Sequence, residues 1–209
     1  MMALIGLIVL LVVAGGAYVL YQKHRIEVAI SGPAKEIVSE SMEKKGDTWH
    51  IEFVSKFDAP VDKVYEAFSR PEKGHELLPD NVLKSEVVSE GDNTKTIEIV
   101  GKLDILPPGF KVQTLRRQYT FDPGARRMTY KTIDFKLSDM TAQYNFDATP
   151  DGKTILRFTQ TSVDKGGLPV ESVQKGALRE LFLQEVRIAN KGLGLAPESS
   201  AAKNDAAVE

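Results

Sequence analysis

Alternation of apolar and polar residues dominates the middle of this chain. Trp49, Ile51, Phe53, Ser55 and Phe57 alternate with His50, Glu52, Val54 and Lys56, the two-residue period of a strand with one wet face. This predicts a strand over 48–57. Asp58-Ala59-Pro60 interrupts it, and Val61, Val64, Tyr65 and Phe68 then recur at helical spacing up to Pro71, which predicts a short helix followed by a second around 74–78. From Val82 the two-residue period returns, cut by turn signals at 90–93, 107–109, 122–124 and 150–152. Consecutive antiparallel strands are therefore expected near 82–89, 94–103, 111–121, 126–137, 141–148 and 154–163, seven with the first. Beyond Pro169, Val173, Ala177, Leu178, Leu181, Phe182, Val186 and Ala189 follow at three- and four-residue steps, the stripe of one long amphipathic helix.

The two ends differ from this middle. Residues 1–22 carry no charged side chain, and as a helix they are about 30 Å long, one bilayer core. Summing the Leu, Ile and Val contributions gives roughly −3 to −7 kcal/mol for insertion, so a transmembrane anchor is expected there. A secretory signal peptide is the competing reading, with Gly15-Gly16-Ala17 as a cleavage site, but no basic segment precedes the apolar run. Lys23, His24 and Arg25 follow the run, which orients a single-pass protein of the cell membrane with its domain on the cytoplasmic side. Residues 23–46 read as a juxtamembrane linker whose second half has short-helix character around Ile37 and Met42, 47–195 as the folded domain, and 196–209 as a disordered tail too poor in bulky apolar side chains to repay ordering.

Composition narrows the function. A net charge of −2 offers no broad basic field for nucleic acid, and Arg116-Arg117 and Arg126-Arg127 read as solvated strand ends. The chain has no cysteine, which excludes disulfides, thiolate zinc sites and cysteine nucleophiles. His24, His50 and His75 have no spacing that brings them together as metal ligands. No nucleophile elbow and no phosphate loop is present, so neither a catalytic set, a metal nor a cofactor is assigned. His75, Asp104, Asp134 and Tyr144 are the polar candidates for acid–base work, with an ordinary surface role as the competing reading.

A strand, a short helical pair, six antiparallel strands and a closing helix pack economically when the sheet curls around the last helix, an α+β arrangement. With the entry Phe57-Asp58-Ala59-Pro60-Val61-Asp62-Lys63-Val64-Tyr65, the turn Thr149-Pro150-Asp151-Gly152-Lys153-Thr154 and the terminal helix, this order resembles the helix-grip fold of the SRPBCC superfamily, which holds START lipid-transfer domains, pollen-allergen carriers and polyketide cyclases. The resemblance implies a cavity between sheet and helix that holds a hydrophobic small molecule. Alternation aims Ile51, Phe53, Phe57, Ile97, Ile99, Leu115, Tyr119, Ile133, Phe135, Tyr144, Leu156 and Phe158 inward against Leu178, Leu181 and Phe182; plain core packing is the alternative for each. Gln143 and Gln160 are candidate interior amides. Ile105, Leu106, Pro107, Pro108 and Phe110 form an unusually apolar hairpin tip, expected to act as a portal or membrane-contact loop or else to fold back on the core, and Leu168 sits on a second candidate rim. The expected role is membrane-anchored binding or transfer of a lipid, quinone, terpenoid or pigment-like ligand, the expected partners being the bilayer and that ligand. An accessory subunit of an integral membrane complex is the second reading and a cyclase-type enzyme the third.

Overall fold

The computed structural model describes residues 36–106, 109–166 and 171–195. Eight strands form one antiparallel sheet: β1 (Ser39–Lys45), β2 (Thr48–Phe57), β3 (Val82–Gly91), β4 (Thr94–Lys102), β5 (Val112–Asp122), β6 (Arg127–Ile133), β7 (Ser138–Ala148) and β8 (Thr154–Asp164). Their order is β1-β2-β8-β7-β6-β5-β4-β3. Between β2 and β3 lie helix α1 (Val61–Phe68), a 3-10 turn (Pro71–Lys73) and the one-turn α2 (Gly74–Leu77), and after β8 comes the long helix α3 (Glu171–Gly192). The helix-grip architecture is thus present, with one strand more than the hydrophobic pattern predicts.

That strand is β1. Its sequence, Ser-Glu-Ser-Met-Glu-Lys-Lys, has a single apolar residue, so no stripe announces it and the linker reading of 39–45 is corrected. It forms because its backbone pairs along the free edge of β2, from Ser39 opposite Val54 to Lys45 opposite Thr48. Its inward side chains also reach α3: Arg179 Nε donates to Glu40 Oε2 at 2.8 Å and Lys44 Nζ to Gln174 Oε1 at 2.9 Å. The hairpin closes through Gly46-Asp47, with φ positive at Gly46 only, the pattern of a type II′ turn. A Cβ on Gly46 meets no atom within 4 Å, so Gly46→Ala is expected to lose about 1–3 kcal/mol through backbone strain alone, measurable as a lower urea midpoint.

The hydrophobic core lies between the inner face of the sheet and α3. Cross-strand register lines up Phe53, Phe158, Tyr144 and Met128 in one row, and Phe182 from α3 stacks on it, 4.7 Å from the Phe53 ring and 4.8 Å from that of Phe158. Phe68 of α1 closes the other end of the core, edge-on to Phe57 and Phe146. Strand β6 ends at Ile133 because Asp134 adopts φ +56°. Among the described residues no helix is long and apolar enough to cross a membrane. The anchor, the first half of the linker and the tail expected at 1–35 and 196–209 lie outside the described residues, as do Pro107, Pro108 and Leu168.

Candidate functional site

Most of the residues aimed inward by alternation are buried between sheet and helix: Ile51, Phe53, Phe57, Ile97, Leu115, Tyr119, Phe135, Tyr144, Leu156, Phe158, Leu178 and Phe182, with Ile99 packed against them. Ile133 is the exception. It pairs with exposed Arg116 on the outer face, because the inward positions of β6 are Met128, Tyr130 and Thr132, and the left-handed turn at Asp134 resets the alternation before Phe135. Gln160 is interior, whereas Gln143 pairs with Thr129 and Thr159 on the outer face.

The rings fill most of the expected space. Among the described residues, two small cavities lie along α3, of about 70 Å³ and about 50 Å³. The larger concavities, of about 560 Å³ and 370 Å³, lie on the outer face of the twisted sheet, where polar side chains such as His50, Glu52, Thr129, Lys131 and Gln143 predominate in their linings.

The 70 Å³ cavity borders a buried polar cluster. On β5 the alternation that turns Leu115 and Tyr119 inward turns Arg117 inward between them, and its side chain is 3 % exposed; the expectation that it is a solvated strand end is corrected. Opposite it, α3 presents Glu185 one turn after Phe182 on the buried face. Arg117 Nη1 donates to Glu185 Oε1, and Tyr144 Oη donates to Glu185 Oε2 at 2.5 Å. The guanidinium lies 4.2 Å from the centre of the Tyr130 ring, a cation–π contact of the strong, desolvated kind. Arg117 Nη1 also reaches Tyr119 Oη at 3.3 Å, and Tyr130 Oη donates to Gln160 Oε1 at 2.8 Å. Two buried donors of this cluster, Arg117 Nε and Gln160 Nε2, have no hydrogen-bond partner among the described residues.

Burial works against the charge on Arg117, but the oxygens of Tyr130, Tyr119 and Glu185 outweigh it and hold the guanidinium well above its ordinary value. Burial, reinforced by Glu185, pushes the Tyr144 hydroxyl well above the usual tyrosine range, and burial likewise raises Tyr130 and Tyr119. A phenol held neutral in the fold gives stability that is complete below its unfolded pKa of about 10 and lost as the pH rises through the folded value. Unfolding above about pH 10 is therefore expected to coincide with tyrosinate formation; a smooth tyrosine titration well before the far-ultraviolet signal falls contradicts this.

Each Glu185 oxygen accepts one hydrogen bond within the cluster, Oε1 from Arg117 and Oε2 from Tyr144. Of the two unpartnered donors, Arg117 belongs to the lining of the 70 Å³ cavity and Gln160 does not. Sequence reasoning passed over Glu185 and Arg117, although the parity of β5 and the three-residue step from Phe182 carried the signal. Of the other polar candidates, Asp104 is exposed and ion-paired with Lys102 at 3.3 Å, Asp134 is exposed, and His75 Nδ1 faces the Val82 carbonyl at 3.1 Å; none reaches the cluster, and Tyr144 alone does.

At the other end of α3, the Leu103–Leu106 segment that follows β4 folds back. Leu103 and Leu106 are buried against Val173 and Ala177, with Ile105 partly buried beside them. Leu106 is thus no lipid wedge in this arrangement. Among the described residues of this loop, Phe110, 37 % exposed, and Val112 are large apolar side chains on the surface. This loop caps the 50 Å³ cavity, which Trp49, Phe135, Met140 and Leu178 line.

The profile of a family described as polyketide cyclase / dehydrase and lipid transport matches residues 48–194. Three solved structures illustrate the fold likeness. The ZhuI aromatase/cyclase from Streptomyces sp. R1128 is 18% identical with a TM-score of 0.58, covering 70% of this chain and 92% of its own. A START superfamily protein from Mycobacterium smegmatis is 9% identical with a TM-score of 0.56, covering 70% and 99%. Major latex-like protein 151 from Panax ginseng is 13% identical with a TM-score of 0.56, covering 73% and 100%. At such identities the likeness is one of fold. No curated protein matches the chain by sequence.

Proposed function

Because the chain belongs to the polyketide cyclase / dehydrase and lipid transport family, we propose that it binds an apolar small molecule carrying a neutral oxygen, a ketone, ester, quinone or alcohol, at the surface of a membrane. The observation that carries this reading is an unpartnered buried donor, Arg117 Nε, on a side chain that lines the 70 Å³ cavity between sheet and helix. An unsatisfied buried donor costs about 1–3 kcal/mol, and an acceptor oxygen of a guest removes that cost. The oxygen is neutral because Glu185 already compensates Arg117, so a second anion there has no counter-charge. Cavities of about 70 Å³ and 50 Å³ are far below the roughly 300–1,000 Å³ of a typical ligand site; loading requires α3 or the Leu103–Leu106 segment to move outward.

The apolar run at 1–22 supports an anchor, with the domain on the cytoplasmic side by the positive charges that follow it. A tether keeps a weak binder at high effective concentration beside a ligand dissolved in the bilayer. The cyclase-type reading has one observation in its favour, the convergence of Glu185, Tyr144 and Arg117 on one cavity; against it stands the buried ion pair with Arg117, which Glu185 would give up on taking a proton.

Native mass spectrometry of the full chain, extracted gently from membranes, followed by organic extraction, tests the proposal. A stoichiometric apolar molecule bearing a neutral oxygen, weakened by Arg117→Lys, is expected. An empty protein that co-purifies with a membrane complex would instead establish the accessory-subunit reading.

A further inference from the structure

The two interior cavities have one α3 side chain in common. Leu181 lines both. N-terminal to it, Gln174, Ala177 and Leu178 face the 50 Å³ cavity; C-terminal to it, Gln184, Glu185 and Ile188 face the 70 Å³ cavity. From Leu178 to Glu185 the helix rises about 10 Å, so the cavities are neighbours in line along one helix, with the polar cluster in one and an apolar end in the other. Leu181 is only partly buried and packs beside the Leu103–Leu106 cap, which leaves it free of the Phe53–Phe158–Phe182 stack that fixes the rest of the core.

On the ligand reading above, we infer that Leu181 is the partition that sets the length of the molecule this protein accepts: the oxygen sits beside Arg117, and the apolar body passes Leu181 toward Trp49. The geometry supplies its own reporter. Trp49, the only tryptophan of the chain, lines the far cavity and not the one at Arg117, and a bromine atom arriving beside an indole quenches its emission.

The test uses full-length protein in detergent and two terminally brominated alcohols, bromohexanol and bromododecanol, whose hydroxyl can accept from Arg117. In the wild type bromododecanol is expected to quench Trp49 and bromohexanol to bind without quenching. Leu181→Phe, which thickens the partition, should abolish the quenching and lower the ratio of dodecanol to hexanol affinity. Leu181→Ala should raise that ratio by about fourfold for each methylene newly admitted, the value of one buried CH₂. If Leu181→Ala does not fold, wild type against Leu181→Phe decides the matter, with Leu181→Met as the conservative control expected to keep the wild-type pattern. Equal quenching and equal length preference in all variants would overturn the partition while leaving the ligand reading intact. Binding of neither alcohol to any variant would remove the ligand reading, and the partition with it.

Discussion

Replacing Glu185 with leucine is expected to destabilise the domain by about 3–5 kcal/mol, because it strands a buried cation. Arg117 is 3 % exposed and Glu185 18 %, and the pair crosses from the middle of the sheet to the closing helix. With the carboxylate gone, the guanidinium keeps only the Tyr119 hydroxyl at 3.3 Å and the face of Tyr130 at 4.2 Å, and Tyr144 loses the acceptor at 2.5 Å. The double variant Arg117→Met with Glu185→Leu should recover most of the loss, since burying an ion pair is costly even when the pair is well made. Urea unfolding measures both, as a shift of midpoint at constant slope. A loss below about 1 kcal/mol for Glu185→Leu alone, the range of an exposed pair, would mean that water reaches Arg117 and would weaken the argument for its unpartnered Nε as a ligand contact.

Phe182→Ala should cost a similar amount, about 3–5 kcal/mol, for a different reason. The ring is 1 % exposed and stacks against Phe53 and Phe158 at 4.7 Å and 4.8 Å, and Phe158 in turn packs edge-on to Tyr144 at 4.8 Å. Removing it leaves a void bounded by aromatic side chains that the sheet holds in register and that cannot close in. Phe182→Leu should lose less, having a smaller void to leave. Phe182 and Glu185 lie one helical turn apart and share Tyr144 as an indirect neighbour, so their losses are expected to couple when combined. If Phe182→Ala unfolds with less than about 1.5 kcal/mol of loss, the cost of a tolerated core swap, α3 is not the keystone of this core.

Much of this was legible along the chain. The two-residue period located seven strands to within a few residues, and the stripe on α3 named Leu178, Phe182, Val186 and Ala189, all of them buried. Both signals are local: a side chain's face follows from its parity in a strand or its angle on a helix, and burial of the apolar face is the largest favourable term in folding. Even the inward aim of Arg117 followed from the parity that placed Leu115 and Tyr119 inside. A charged residue at an inward position was the signal for a built site, and reading it as a strand end missed that.

What periodicity could not supply is pairing and volume. Strand β1 has no apolar stripe and exists because β2 offers a free edge to its backbone. Ile133 and Phe135, which share parity, lie on opposite faces because one left-handed residue between them, Asp134, resets the count. That Arg117 meets Glu185, 68 residues away, depends on sheet order and on the rotation of α3, neither of which leaves a mark on the local pattern. The cavity is the clearest case. The sequence by itself determined which side chains line the space between sheet and helix; only the tertiary structure decided that their rings nearly fill it, because a void is the small difference between the separation of two layers and the summed volume of what they carry, and that difference exists only once the layers have packed.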